Sequence, residues 1–218
     1  NATELAGKTA VVIGSGRAGA AATRLLLAQG ARVRLLEKNP AATTVDWPSD
    51  VELGSDADAG ALADAALLVP SPGVARGHPL LVAAAAAAVP VWSEIELAAR
   101  FLTCPIVAIT GTNGKSTTTV LIGNILRRAG HRVFVGGNLG TPLAAAVTDR
   151  AAGAAYDYAV AEISSFQLEW IECFRPRVAV WLNLTADHLD RYAGVDEYED
   201  YKAVLLRQLR AGDVAVLN

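Results

Sequence analysis

Short apolar runs alternate along the chain with longer amphipathic stretches, and most of the runs end in a turn that contains glycine or proline. The apolar, β-branched runs predict strands at residues 9–13, 32–37, 67–69, 89–92, 105–110, 132–135, 158–163, 177–182 and 213–217. The amphipathic stretches predict helices at 20–29, 79–88, 94–102, 118–129 and 195–210. Strands that alternate with helices are typical of an α/β fold with mostly parallel sheets, covered on both faces.

Two glycine-rich turns, each between a predicted strand and a predicted helix, indicate two α/β units. The first turn is Gly14–Gly19 and the second is Gly111–Thr117. We therefore predict a Rossmann-like nucleotide-binding domain at residues 1–93 and a P-loop domain at residues 94–218.

The composition narrows the class of protein. The chain has 218 residues, of which 52% are hydrophobic, a net charge of −3, two cysteines and no methionine. Cys104 and Cys173 form no C-x-x-C pair, so we expect neither a disulfide framework nor a structural zinc site. No apolar run reaches the roughly 18 residues of a membrane span, and no basic segment indicates nucleic acid. We expect a cytoplasmic monomer without membrane or nucleic-acid partners, whose first residues are artificial or processed.

The strongest chemical signal is the second glycine turn, GTNGKST, between a buried strand and a helix. Its glycines allow N–H groups to point inward, and the helix N-terminus adds partial positive charge where phosphate oxygens would lie. Lys115 could reach the β- and γ-phosphates, and the Ser116 hydroxyl could ligate Mg²⁺. We predict a nucleotide site at Gly111, Thr112, Asn113, Gly114, Lys115, Ser116 and Thr117, although the loop is two residues shorter than the common pattern.

The first glycine turn, GSGRAG, is followed at the end of the next strand by Glu37. This spacing is a dinucleotide fingerprint, and it fits any ligand that carries phosphate and ribose, including NAD.

Further polar residues follow later strands. Glu162 ends a strand beside the phosphate loop and is well placed to hold Mg²⁺. Asp187, His188, Asp190 and Arg191 follow the next strand and suggest metal and phosphate handling. Lys202 lies on the last long helix, and the sequence alone predicts a solvated surface lysine at this position.

In series, these motifs resemble the Mur ligase family. The matching segments are Val12–Gly19, Ser71–Gly73, Ser93–Leu97, Ile109–Thr117, Gly136–Gly140, Glu162–Leu168, Asn183–Thr185 and Asp187–Tyr192. The resemblance covers essentially the whole chain, and the short phosphate loop is the family's own form.

The resemblance implies an ATP-dependent ligase of cytoplasmic peptidoglycan precursor synthesis. ATP would phosphorylate the carboxylate of UDP-N-acetylmuramoyl-L-alanine, and the amine of D-glutamate would attack the acyl phosphate. The implied catalytic residues are Lys115, His188 and Lys202, of which Lys202 matches a lysine that is carbamylated in the family. The implied Mg²⁺ ligands are Ser116, Glu162, His188 and Lys202.

The resemblance also implies that the first domain binds UDP rather than NAD. The implied contacts with the UDP-muramoyl substrate are Gly16, Arg17, Ala18, Glu37, Lys38, Asn39, Ser71, Pro72, Gly73, Asn138, Ser164, Gln167 and His188. The family often has a hydroxyl residue at the position of Ala18 and an aspartate at the position of Glu37.

Family members carry a third domain, so the resemblance implies that the second domain here is incomplete and the third is absent. Three alternatives to a complete ligase for D-glutamate therefore stay open. The chain alone could then be a UDP-sugar- and nucleotide-binding module without catalysis. The parent protein could also be a sister ligase for a different amino acid. An NAD-dependent oxidoreductase is the third alternative, but it gives the loop Gly111–Thr117 no role.

Overall fold

The computed structural model describes residues 5–40, 45, 47–138, 140–149, 155–187 and 191–218. The first part of the chain forms a four-stranded parallel sheet in the order β3-β2-β1-β4. Its strands are β1 (Thr9–Ile13), β2 (Arg32–Glu37), β3 (Val51–Ser55) and β4 (Ala65–Pro70). Its helices are α1 (Arg17–Ala28), α2 (Pro79–Ala86) and a 3-10 turn at Ala59–Leu62. All five residues of β1 are buried, which explains its uninterrupted apolar sequence.

The second part forms a five-stranded parallel sheet in the order β6-β7-β5-β8-β9. Its strands are β5 (Ile106–Thr110), β6 (Val133–Gly137), β7 (Tyr158–Glu162), β8 (Val178–Trp181) and β9 (Val214–Leu217). Its helices are α3 (Glu94–Ala99), α4 (Lys115–Arg128), α5 (Ala145–Thr148), α6 (Ser165–Leu168) and α7 (Val195–Arg207). Strand β5 lies between β7 and β8, so three carboxyl ends meet beside the loop that leads into α4.

The predicted α/β class and parallel sheets are confirmed, whereas one predicted strand was wrong and one strand was missed. Residues 89–92 do not form a strand; they make an isolated bridge between Val91 and Leu68. Pro90 lacks the N–H that a longer ladder would need. Strand β3 was not predicted, because Glu52 and Gly54 interrupt its apolar pattern. The division of domains at Ser93 stays a prediction.

A buried carboxylate joins α3 to the loop that precedes β8. Glu96 is fully buried and accepts hydrogen bonds from the backbone N–H groups of Glu172, Cys173 and Phe174, at 2.7–3.0 Å. Arg100, one turn later on α3, donates to Glu96 at 2.7 Å. Because three N–H groups and a guanidinium surround this carboxylate, its charge is compensated inside the protein.

Further contacts join the two sheets along one side. Arg76 forms a 2.6 Å ion pair with Glu197 at the start of α7. Arg191 donates to the carbonyl of Val74 at 3.0 Å and pairs with the buried Glu169 at 2.6 Å. Within the described ranges, no helix combines the length and the hydropathy needed to cross a bilayer.

Candidate nucleotide and nucleotide-sugar site

The first glycine loop lies at the carboxyl end of β1, where the sheet order changes direction between β2 and β4. This is the position at which open α/β sheets bind ligands. A Cβ atom on Gly19 would lie 1.7 Å from the carbonyl oxygen of Gly14, so the close approach of α1 to the loop requires glycine. Ser71 donates to that same carbonyl at 3.1 Å, and the Glu37 carboxylate accepts the N–H of Ser15. The turn after β4 and the end of β2 therefore fix the loop from both sides.

A cleft of about 220 Å³ lies between this loop and the second sheet. Its lining includes seven residues that the sequence implied for the substrate: Gly16, Arg17, Ala18, Ser71, Pro72, Asn138 and Gln167. The guanidinium of Arg17 crosses the cleft and donates to the carbonyl of Gly140 at 3.3 Å. The cleft thus combines two loops that are more than a hundred residues apart in the sequence.

Other implied substrate residues lie elsewhere. Lys38 and Asn39 are exposed after β2, and they do not line this cleft. Gly73 lines a neighbouring cavity with Arg76, Phe166 and Arg191. Glu37 was also implied as a substrate contact. Its carboxylate is bonded to the backbone of the first glycine loop and does not line the cleft.

Ser164 is the N-cap of α6 and forms a capping box with Gln167. Its hydroxyl is bonded to the Gln167 side chain at 3.1 Å, so its local contact is structural.

The phosphate loop follows the central strand β5. Gly111 and Gly114 have φ values of 147° and 81°, which favour glycine, and Gly114 is the N-cap of α4. The Asn183 side chain, after β8, accepts the N–H groups of Thr112 and Asn113 at 3.1 and 2.8 Å. It also donates to the carbonyl of Asn113 at 3.0 Å. Asn183 therefore holds the loop in shape.

This role of Asn183 was not assigned from the sequence, although its position directly after a strand next to β5 was a usable signal. Thr185, two residues further, donates its N–H to the Thr112 hydroxyl at 3.0 Å. Lys115 donates to the carbonyl of Thr112 at 2.8 Å. The ammonium thus lies against its own loop, within reach of a phosphate bound there.

Ser116 and Glu162 are neighbours, as expected for two ligands of one metal ion. The Ser116 hydroxyl donates to Oε2 of Glu162 at 2.6 Å, and the Asn138 amide donates to Oε1 at 2.8 Å. A hydroxyl and a carboxylate are hard oxygen ligands of the kind that Mg²⁺ takes together with phosphates and water. Within the described residues no group of three or more His, Cys, Asp or Glu side chains forms a metal cluster.

Lys202 is buried behind the phosphate loop, whereas the sequence alone predicted a solvated side chain. It is 1% exposed, and its Nζ donates to the carbonyl of Gly111 at 3.0 Å. Burial lowers the pKa of Lys202 to about 8, and the positive charge of Lys115 contributes to the same shift. Asp187 and Glu162 oppose this shift of the pKa. His188, predicted as a catalytic, metal and substrate residue, lies outside the described residues.

Comparisons with known proteins agree with this geometry. The Mur ligase middle domain matches residues 109–218, and the MurD-like N-terminal domain of Mur ligases matches residues 8–93. The chain belongs to the Mur ligase family. Both glycine loops and the residues beside them therefore lie within segments that match Mur ligase domains.

Curated relatives with the name UDP-N-acetylmuramoylalanine–D-glutamate ligase match almost the whole chain. The protein from Syntrophotalea carbinolica is 50% identical over an alignment of 222 positions, which covers 99% of this chain and 48% of the relative. The protein from Anaeromyxobacter dehalogenans is 50% identical over an alignment of 225 positions, which covers 100% of this chain and 47% of the relative. The chain thus spans about half the length of the curated Mur ligases that it matches.

Solved structures show the same fold. UDP-N-acetylmuramate:L-alanyl-gamma-D-glutamyl-meso-diaminopimelate ligase from Neisseria meningitides has a TM-score of 0.60 at 20% identity and covers 98% of this chain and 72% of that structure. UDP-N-acetylmuramate–alanine ligase from Thermotoga maritima has a TM-score of 0.53 at 20% identity, with coverages of 96% and 48%. At this identity the likeness describes the Mur ligase fold alone.

Proposed function

We propose that this chain is part of an ATP-dependent ligase that joins D-glutamate to UDP-N-acetylmuramoyl-L-alanine in peptidoglycan precursor synthesis. The observation that carries the proposal is the 50% identity, over 99% of the chain, to a curated ligase of that name. The contact between Ser116 and Glu162 beside a phosphate loop supports the use of ATP.

In the proposed reaction, the γ-phosphoryl group of ATP passes to the carboxylate of UDP-N-acetylmuramoyl-L-alanine, which gives ADP and an acyl phosphate. The amine of D-glutamate then attacks the acyl carbon, phosphate leaves, and the new amide loses the amine proton. Positioning and charge neutralisation account for most of the catalysis of such phosphoryl transfers.

The phosphate loop supplies the binding of ATP in this proposal. The N–H groups at the start of α4 point toward the phosphates, and Asn183 keeps the loop in the required shape. Lys115 exchanges its bond to the Thr112 carbonyl for the transferring phosphoryl group. Mg²⁺, when bound, neutralises phosphate charge, and Ser116, Glu162 and His188 are its proposed ligands.

Lys202 takes part, in this proposal, as a carbamate rather than as an ammonium. An ammonium has no lone pair for a metal ion, whereas a lysine carbamate is an anionic oxygen ligand. Carbamylation needs the neutral amine, and the lowered pKa of about 8 makes this form accessible near neutral pH. The position of Lys202 beneath Gly111 brings such a ligand to the phosphate loop.

We propose that residues 1–93 hold UDP and that residues 94–218 hold ATP and the reacting end of the muramoyl substrate. The cleft that joins Arg17, Ser71 and Asn138 supports this division, because it offers donors to the diphosphate and opens toward Glu162. For the 218-residue chain alone, binding without turnover is a second candidate, favoured by its length of about half that of its relatives.

Two measurements test the proposal. Calorimetry of the 218-residue chain should detect binding of UDP-N-acetylmuramoyl-L-alanine and, separately, of ATP with Mg²⁺. In the parent protein, release of phosphate from ATP should require both UDP-N-acetylmuramoyl-L-alanine and D-glutamate. Equal turnover with L-alanine or meso-diaminopimelate in place of D-glutamate would show a sister ligase instead.

A further inference from the structure

Glu94, the first residue of α3, is a buried acid in the wall of the cleft. The residue is 2% exposed and lines the cleft opposite the first glycine loop. Its Oε1 accepts the N–H of Ala144, in the segment that follows β6. Its Oε2 is buried and has no hydrogen-bond partner in the described part of the chain. The described residues thus leave one oxygen of this carboxyl group without a partner.

The surroundings favour the neutral form of this carboxyl group. The described charged side chains on the same element are Glu96 and Arg100, which are bonded to each other and to the loop at residues 172–174. On α1, which packs against α3, Arg17 donates to Gly140 and Arg24 lies over the ring of Trp47. On α5, Asp149 is exposed. Among the residues that the structure describes, no cation pairs with Glu94. Burial raises the pKa of Glu94 to about 7, while the hydrogen bond from the Ala144 N–H opposes the rise.

A neutral carboxyl group that accepts through Oε1 carries a proton on Oε2. This O–H group needs an acceptor, because a buried hydrogen-bond donor without a partner is unfavourable. The rest of the cleft also offers donors, which are the helix N-terminus at Gly16 and the guanidinium of Arg17. Such a lining is complementary to a ligand with many oxygen acceptors, such as a sugar diphosphate.

We infer that Glu94 is a recognition residue of the cleft, which in its neutral form donates a hydrogen bond from Oε2 to an oxygen of the bound nucleotide-sugar. This inference rests on the proposed nucleotide-sugar site and adds a donor to it. An ionised Glu94 would instead place a negative charge and an acceptor against the diphosphate and the sugar oxygens, so binding requires the proton.

The experiment is a calorimetric titration of the 218-residue chain with UDP-N-acetylmuramoyl-L-alanine, without ATP or metal, between pH 6.5 and pH 8. The diphosphate diester and the alanine carboxylate of this ligand keep their charges throughout this range. With binding confined to the neutral form of Glu94, the affinity of the wild type should fall by about eightfold across the range.

The variant Glu94→Gln separates recognition from structure. Its amide keeps an acceptor for the Ala144 N–H and a donor at the position of Oε2, but it does not titrate. We expect Glu94→Gln to bind with the wild-type affinity of pH 6.5 at both pH values. The control Glu52→Gln, an exposed acid on β3 that pairs with Arg34, should keep the full wild-type dependence on pH.

A second measurement needs no variant. At pH 7.5 the wild type should take up about 0.8 proton per ligand bound, which titrations in buffers of different ionisation enthalpy report. Equal pH dependence in the wild type and Glu94→Gln would overturn the role of Glu94 and leave the nucleotide-sugar site intact, as would binding of the wild type without proton uptake. No binding at any pH would overturn the proposed site and the inference together.

Discussion

The hydroxyl of Ser116 lies 2.6 Å from Oε2 of Glu162, although 46 positions separate the two residues in the sequence. The contact exists because β5 and β7 are adjacent and parallel, so the helix that follows one strand begins beside the last residue of the other. This pairing gives the phosphate loop an anionic neighbour that can share a cation with a bound nucleotide.

We expect Ser116→Ala to weaken the Mg²⁺-dependent binding of ATP by on the order of tenfold, because one of the oxygen ligands is lost. Calorimetric titrations with ATP in the presence of Mg²⁺, and again in EDTA, separate this effect from loss of the loop itself. The exposed Ser49→Ala, at the edge of the first sheet, serves as the matched control. An unchanged Mg²⁺-dependent affinity would contradict the role of Ser116.

Asn183 offers a test of how the phosphate loop keeps its shape. Replacement with alanine removes three hydrogen bonds to the backbone of Thr112 and Asn113. We expect Asn183→Ala to lower the free energy of unfolding by about 2 kcal/mol and to speed hydrogen exchange at those two amides. Urea unfolding and exchange mass spectrometry check both effects. Asn218→Ala, which removes one exposed bond to Leu182, should produce a much smaller change.

Glu96 tests the junction between α3 and the loop before β8. An amide has a single acceptor oxygen, whereas both carboxylate oxygens of Glu96 accept from three backbone N–H groups and Arg100. We expect Glu96→Gln to lower the free energy of unfolding by about 3 kcal/mol, since the amide NH2 replaces a buried acceptor oxygen and removes the charge that faces Arg100. Urea unfolding measures the change.

The matched control for this junction is Glu172→Gln, because Glu172 pairs with the same Arg100 but is more than half exposed. An exposed ion pair contributes about 0–1 kcal/mol. Equal losses of stability in the two variants would show that the buried Glu96 carboxylate stabilises the fold no more than the exposed Glu172 carboxylate does.

Asp213 predicts a dependence of stability on pH. Bonds from Arg175, the N–H of Arg210 and Arg177 lower its pKa to about 2 from an ordinary value of 3.8. The folded protein therefore binds fewer protons than the unfolded chain between pH 2 and pH 4, and stability falls as the pH falls through this window. Above pH 4 the contribution of Asp213 is fully present.

We expect Asp213→Asn to lower the urea midpoint at pH 6, and we expect its difference from the wild type to shrink at pH 3. Midpoints from fluorescence at pH 6, 4 and 3 provide the check. Asp50→Asn, which changes an exposed acid just before β3, is the control for the loss of one negative charge. A constant difference for Asp213→Asn would argue against the arginine contacts as its cause.

The parts of the structure that could be predicted from the sequence are those encoded by contiguous residues. The loop from Gly111 to Thr117 carries its own glycines, lysine and hydroxyls, and the strand before it is uniformly apolar. Because parallel strands end at one edge, the proximity of Glu162 to this loop also followed from the order of elements. In these two cases the order of residues along the chain was enough to predict which groups lie close together.

Contacts between distant segments could not be predicted in this way. The roles of Glu94 and Glu96 depend on backbone N–H groups 50 and 76–78 residues further along the chain. Only the helical spacing of the buried positions indicated that Lys202 is buried, since Tyr198, Lys202 and Leu205 fall on one face of α7. The position of this lysine within an apolar helical stripe indicated burial, whereas its residue type indicated exposure to solvent.

The glycines of the first loop differ in whether the structure tolerates another residue in their place. A Cβ atom at Gly16 would meet nothing within 4 Å, and its φ of −58° suits any residue. Gly19 has no such room, because the carbonyl of Gly14 occupies the place of its side chain. In a saturation library selected for folding alone, we expect residue 19 to remain glycine and residue 16 to accept other side chains. The backbone therefore requires glycine at position 19, whereas a requirement for glycine at position 16 would come from the ligand.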